Sequence, residues 1–413
     1  MPSESEEVWR YSGIDDFDLD GFAPSSQVEP SSEEKEKLIA TARDLASRVG
    51  PRSALVITLD GKVVSIEGDI EGGPLTVDGA SVADGDPGLL AERIGSLAPA
   101  RDGFGELHDA FMADAAVVTV APKSLVREPV VVVHVVGGAT IGESPGASAF
   151  PHTSVTLGAG SEASLMEILV GAGRALVVPV TELEVADASH LRYANVQVLS
   201  DTSWQVAVQA SRVGRDANLR SFTVAFGGRY ARVRTDSDLV GQAGSTSLLA
   251  AYLGTGDQVL DFRTLQDHHA PHTESELLFE GAVAGSSRSV YSGLIRIRHG
   301  ARGSNAFQTN RNLVLSEGAH ADSVPNLDID ENDVRCSHAS TVGPIDEEQK
   351  YYLESRGIGP KVAERLIVRG FFSDLAARAP FESLGRWVED SVEEKLSASW
   401  EPASETISGD GNR

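Results

Sequence analysis

Apolar positions along the chain follow two different periods. After Ser31-Ser32-Glu33-Glu34, a capped helix start with acid in its first turn, Leu38, Ile39, Ala42 and Leu45 recur on one helix face up to about Ser47. A hairpin around Asp60-Gly61 is expected over 53–64, then short helices over 88–97 and 104–111. From about residue 115 the period shortens. Ala115-Ala116-Val117-Val118-Thr119-Val120 and Val130-Val131-Val132-Val133-His134-Val135-Val136 read as strands rich in β-branched residues. A turn signature then repeats, an apolar residue followed by small or polar ones, at Leu157-Gly158-Ala159-Gly160, Val185-Ala186-Asp187-Ala188, Val213-Gly214-Arg215-Asp216 and Val240-Gly241-Gln242-Ala243. The small residues at 158, 186, 214 and 241 lie 28, 28 and 27 positions apart. Related turns stand at His299-Gly300-Ala301 and Glu317-Gly318-Ala319. A fixed period of this size, with no helix-length pattern between the strands, predicts a solenoid whose coils bury their narrow apolar faces by stacking. A parallel β-helix fits best; a large β-sandwich is the alternative.

Past Gly343 the pattern turns helical. Pro344-Ile345-Asp346-Glu347-Glu348 starts a first helix that closes at Arg356-Gly357, 359–370 forms a second with Val362, Ala363, Leu366 and Ile367 as its stripe, and 381–398 a third. The expected organisation is an acidic segment (1–31), a small α+β domain (32–112), a β-helix core (113–343), a helical domain (344–400) and a disordered tail (401–413).

Charge narrows the function classes. A formal net charge of −26 over 413 residues opposes binding to nucleic acid or an anionic membrane, because both require basic surface. Gly357-Ile358-Gly359-Pro360-Lys361-Val362-Ala363 resembles a helix-hairpin-helix DNA-binding turn, yet acidic residues outnumber basic ones from Gly343 onward. The helix pair is better read as a protein-docking surface. The acidic Met1-Pro2-Ser3-Glu4-Ser5-Glu6-Glu7 stretch has no apolar signal region, and no apolar run reaches membrane-span length, so a cytoplasmic protein is expected.

Candidate chemistry is concentrated near the end of the strand-like region. The single cysteine, Cys336, is followed two positions later by His338, and in a strand these share one face. A thiolate beside an imidazole suits iron; the plain alternative is a small buried cysteine beside a surface histidine. His268, His269 and His272 lie within five residues and could ligate a metal, although Pro271 interrupts them. Asn305, Asn310 and Asn312 suggest hydrogen-bonded corners of stacked coils, and Asp328, Asp330, Glu331 and Asp333 a solvated acidic edge. One cysteine cannot hold an ordinary iron-sulfur cluster, which needs about four thiolate-like ligands. No Walker-type phosphate loop is present, so no bound nucleotide is expected.

Several of these stretches together resemble the SufB/SufD family: His272 before Glu274-Ser275, Tyr291-Ser292-Gly293, Ile295-Arg296-Ile297, Gly300-Ala301, Asn305-Ala306-Phe307-Gln308 and Asn312-Leu313-Val314-Leu315. Pro325-Asn326-Leu327-Asp328-Ile329, Asp333-Val334-Arg335-Cys336-Ser337-His338, Asp346-Glu347-Glu348, Tyr352-Leu353-Glu354-Ser355-Arg356-Gly357 and Trp9-Arg10-Tyr11 continue the likeness. The Cys336-Ser337-His338-Ala339 form is similar to the SufD branch, since SufB-like chains carry further cysteines. The resemblance implies a right-handed parallel β-helix with flanking helical regions. It also implies a scaffold subunit of iron-sulfur cluster assembly that is itself no enzyme. Its partners would be SufB and the ATPase SufC, or a second copy of itself in their absence. A transient cluster would form at the SufB interface beside Cys336 and His338, and SufC would dock on the C-terminal helices around Tyr351, Tyr352, Leu353, Arg356, Val362, Leu366 and Ile367. Two rivals stand beside it: a pure interaction scaffold in which Cys336 is core packing, and a polysaccharide-active β-helix enzyme.

Overall fold

Stacked strands, each about ten residues long, set the shape of the molecule. The computed structural model describes residues 1–24, 32–68, 73–81, 94–137 and 145–399. The Ser31 cap, most of the helix expected at 88–97 and the tail at 401–413 lie outside those residues.

The chain winds as a parallel β-solenoid of about seven turns. Each turn gives one strand to each of two sheets. One sheet runs from His152–Leu157 through Val180–Val185, Trp204–Val213, Tyr230–Leu239, Val259–His268 and Arg288–Ile297 to His320–Ile329. The other runs from Glu162–Gly171 to Arg335–Gly343. Parallel strands of one chain need crossovers, and here the strand of the opposite sheet serves as the crossover.

The repeated turn marks one corner of each coil up to the last but one. Gly160, Ala188, Asp216, Ala243, His272 and Gly303 all adopt left-handed backbone there, with φ between 56° and 71°. Each donates its N–H to the next corner: Gly160 to Asp187 O, Ala188 to Arg215 O, Asp216 to Gln242 O, Ala243 to Pro271 O, His272 to Arg302 O and Gly303 to Asp333 O. Corner backbone that would be orphaned in one coil is thereby satisfied by its neighbour. The Glu317-Gly318-Ala319 turn belongs to the opposite corner.

Inner positions alternate with outer ones, and both outer faces are partly covered. Helix Ser32–Ser47 and the C-terminal helices Pro360–Ala376 and Glu382–Ser399 supply apolar side chains to one cluster with Met166, Ile168, Phe222, Val224 and Leu249 of the second sheet, while helix Glu347–Ser355 buries no side chain. On the first sheet, Trp9 and Ile14 bury with Phe104, Trp204 and Tyr230. Arg232 lies 3.7 Å over the Trp9 ring, donates to Val8 O and pairs with Asp261.

The sheets continue past the boundary expected at residue 113. Ala54–Leu59 runs parallel to Val130–Val136 in the second sheet, while Leu75–Ser81 pairs antiparallel with Asp114–Val120 in the first. The expected hairpin therefore exists, as Ala54–Leu59 against Lys62–Gly68, but it extends the solenoid. Its first strand, apolar except for Thr58, is buried along its whole length, which needs cover on two faces.

Candidate functional site at the open end of the solenoid

The last coil has a neighbour on one side only. His320–Ile329 and Arg335–Gly343 pair with Arg288–Ile297 and Asn305–Val314, and each ends its sheet. Two strand edges therefore offer unpaired N–H and C=O groups side by side.

The register fixes which side chains face the interior there. Ala306, Gln308, Asn310 and Asn312 are buried inner residues, and their partners are Cys336, His338, Ser340 and Val342. Across the lumen, Tyr291, Gly293, Ile295 and Ile297 pair with Ser323, Pro325, Leu327 and Ile329. Cys336 and His338 thus share the inner face, as their spacing requires. The inner residues of this coil are nevertheless open to solvent: Leu327 is 38% exposed, Ile329 42% and Val342 44%. In any earlier coil the same positions are buried, because another coil covers them.

Cys336 is half-buried and packs with Val334 against Ile295, Ile297, Ala301 and Ala306. Burial pushes its thiol above the usual range. His338 is exposed. Beneath it lies Gln308, buried, with neither amide atom hydrogen-bonded, and Ser323 Oγ is likewise buried without a partner.

The acidic run flanks this mouth. Asp328 accepts from Arg296 Nε at 2.9 Å, and Glu331 accepts the backbone N–H groups of Gly300 and Asn332. The asparagines are not corner residues. Asn310 and Asn312 sit mid-strand inside the solenoid, where Asn310 donates to Tyr252 Oη and Tyr252 Oη donates to Asn312 Oδ1, at 2.9 and 2.7 Å. Asn305 begins its strand and donates to Glu274 at 3.3 Å.

The three histidines diverge. His268 points inward, bonded to Thr273 and Ser275 hydroxyls, and burial lowers its pKa to about 4. His272 is an exposed corner residue in left-handed backbone. His269 alone approaches carboxylates, Asp267 at 3.5 Å and Asp238 at 3.7 Å. Asp267 is already held by Arg298 through both oxygens at 2.8 and 2.7 Å. Burial would raise this carboxyl, and the Arg298 bonds outweigh it. The three histidines therefore do not converge on one point; His269 instead groups with Asp238 and Asp267, whose ligand atoms lie within 4.8 Å of one another.

The helical region makes a second surface. An open groove of about 810 Å³ is lined by Leu313, Pro344, Tyr352, Leu353, Leu366 and Phe371, with Asp346 and Glu348 on its rim. Tyr351 is 73% exposed and Tyr352 56%, and Val362 and Leu366 are exposed with them. Arg356 covers the Tyr352 ring at 5.2 Å. Ile367 and Leu353 are partly buried, Ile367 against the main apolar cluster. The second helix is longer than its stripe predicted, Pro360–Ala376, because Phe372, Leu375 and Ala376 continue its buried face.

Sequence reasoning missed Gln308, Ser323, Leu327, Ile329 and Val342 as parts of one site. Counting back 30 residues from Cys336 and His338 reaches Ala306 and Gln308, so the coil period carried that signal.

Comparison with known proteins agrees with this architecture. Residues 140–371 match the family model for the SufBD core domain of SUF-system FeS cluster assembly. An iron-sulfur cluster assembly SufBD family protein of Mycobacterium tuberculosis is 33% identical over 336 residues, covering 79% of this chain and 81% of the relative. The cluster assembly protein SufD of Escherichia coli is 27% identical over 403 residues, covering 96% and 89%. That of Bacillus subtilis is 31% identical over 218 residues, covering 52% and 50%. With more than half its length in the core model and relatives of this extent, the chain belongs to the SufB/SufD family of iron-sulfur cluster assembly proteins.

Proposed function

We propose that this chain is the SufD-type scaffold subunit of the assembly complex, with its open solenoid end paired to SufB and its helical groove docking the ATPase SufC. A nascent iron-sulfur cluster is built across the SufB seam, where Cys336 and His338 face the partner. The uncovered inner face of the last coil carries this reading. Two parallel edge strands and a partly apolar lumen invite a partner that continues both sheets. One cysteine cannot complete a cluster, so the remaining ligands come from the partner or from sulfide. ATP hydrolysis is assigned to SufC, which the exposed Tyr351, Tyr352, Val362 and Leu366 suit as an aromatic and aliphatic anchor.

One observation favours a pure interaction scaffold as the second reading. Cys336 packs against aliphatic side chains, and burial disfavours its thiolate. The test is co-expression with SufB and SufC, anaerobic purification and a visible absorption spectrum. A stable complex whose cluster band disappears in His338→Ala supports the shared site. A band that survives both His338→Ala and Cys336→Ala leaves the scaffold alone, and the absence of a complex overturns both readings.

A further inference from the structure

Interior amides in this solenoid are generally bonded. Gln209 donates to Ser221, Gln266 donates to Ser275, and Gln197 and Gln258 each donate to a backbone carbonyl. Gln308 stands apart from these: its Oε1 and Nε2 are both fully enclosed and unpartnered, whereas at Gln205 and Gln266 only Oε1 is enclosed without a partner. Burying an amide without a partner destabilises the fold, so a position that tolerates it needs a reason.

Nothing in the packing demands glutamine there. Gln308 follows Leu248 and Leu277 in the same ladder, so the column accepts leucine. Room for the amide is nonetheless provided. A Cβ on Gly293 would stand 2.5 Å from Gln308 Nε2 and closer still to the Tyr291 hydroxyl, so the bare glycine opens a recess across the lumen. Tyr291 Oη is itself bonded to Thr264 Oγ1 at 3.0 Å. The next rung above Gln308 is His338. Adjacent parallel strands lie about 4.8 Å apart, and both side chains face the lumen, so rotation about their torsions brings amide and imidazole together.

We propose that Gln308 is a positioning residue for His338: its carboxamide oxygen accepts the N–H of one ring nitrogen, leaving the other nitrogen's lone pair facing the open end. A histidine that binds through one nitrogen is oriented by the bond at its other nitrogen. The inference rests on the reading of His338 as a cluster-facing residue.

Gln308→Leu continues an existing leucine column, and Gln308→Met is a second variant with a flexible, unbranched side chain. Three measurements decide the matter. The thermal midpoint of the isolated chain stays level or rises, whereas a structural amide would lower it. In the metal-free, 15N-histidine-labelled chain at about pH 8, where imidazole is neutral, His338 shows one dominant tautomer, and the variants show a mixture. In the complex with SufB and SufC, cluster assembly falls about tenfold. An unchanged tautomer ratio, unchanged assembly or a lowered midpoint in both variants overturns the inference. His338→Ala run alongside separates the two ideas: if it leaves assembly intact, the reading of His338 fails; if it alone impairs assembly, only the role of Gln308 fails.

Discussion

The two ends of the solenoid treat buried polar groups in opposite ways. At the closed end, strand Lys62–Gly68 folds over the first coils, and Val63 packs on Gly79 so that the two sheets meet. Inside, the Glu167 carboxylate accepts from His134 Nε2 and Thr153 Oγ1 at 2.7 Å each, from Thr181 Oγ1 at 2.8 Å and from Tyr193 Oη at 2.5 Å. His134 Nδ1 bonds Thr58 in turn. At the open end, Gln308 and Ser323 have no partners and the lumen meets water. A buried charge is tolerated where its hydrogen bonds are complete. The first cluster is finished within one chain; the second is finished, in our reading, by another.

The comparison breaks first at Glu167. Glu167→Ala leaves the histidine, tyrosine and two threonines facing an empty site, and should cost about 3–5 kcal/mol in denaturant unfolding; a loss below 1 kcal/mol would mean the closed cluster holds little.

Acid probes the same interior. Burial would raise Glu167, but the His134, Tyr193 and Thr153 bonds outweigh it and hold its carboxyl at about 2. Its contribution is full above the unfolded value of about 4.3 and disappears as pH falls toward 2. His108, lowered to about 3 by burial and by facing His152, acts earlier. The unfolded chain takes up that proton below about 6.5 while the fold refuses it, so stability falls as pH drops from there toward 3. Unfolding followed from pH 7 to pH 3 should show a continuous decline, and a flat profile would contradict it.

Lys395 tests how the helices are held. Its ammonium donates to Phe226 O, Leu253 O and Gln258 Oε1, and burial lowers its pKa to about 8. Lys395→Met leaves those oxygens short of a donor and should lower stability by about 1–3 kcal/mol, with faster amide exchange in Glu382–Ser399.

The smallest stability change is expected at the open end. Leu327→Asp and Val342→Asp fall on half-exposed positions and should shift the isolated chain by no more than about 0.5 kcal/mol. The same variants should abolish co-purification with SufB. A variant that unfolds the chain, or one that still pairs, would erase the contrast between the ends.

Legibility followed the range of the interactions involved. The corner signature at 158, 186, 214 and 241 and the strand Val130–Val136 were readable because they repeat or alternate locally. So were the start of Glu347–Ser355, although Asp346 is its cap and Pro344 lies before it, and the shared face of Cys336 and His338. The histidine trio misled because three neighbours at a strand end point inward, outward and into the corner. Asn310 and Asn312 misled because corner asparagines are common, whereas these two satisfy Tyr252 from mid-strand. Glu167 and Gln308 were invisible, since their partners or lack of them depend on which rung faces which across the lumen.

The stacking also sets an order in time. Each rung pairs with one about thirty residues earlier, so a growing chain can add coils as it is made, starting from the closed end. The strand bearing Cys336 and His338 is the last to be laid down, and with a neighbour on one side only it is the first to fray. A chain interrupted just before residue 335 would already hold its Glu167 cluster and would lack its last strand and the helices that cover the second sheet.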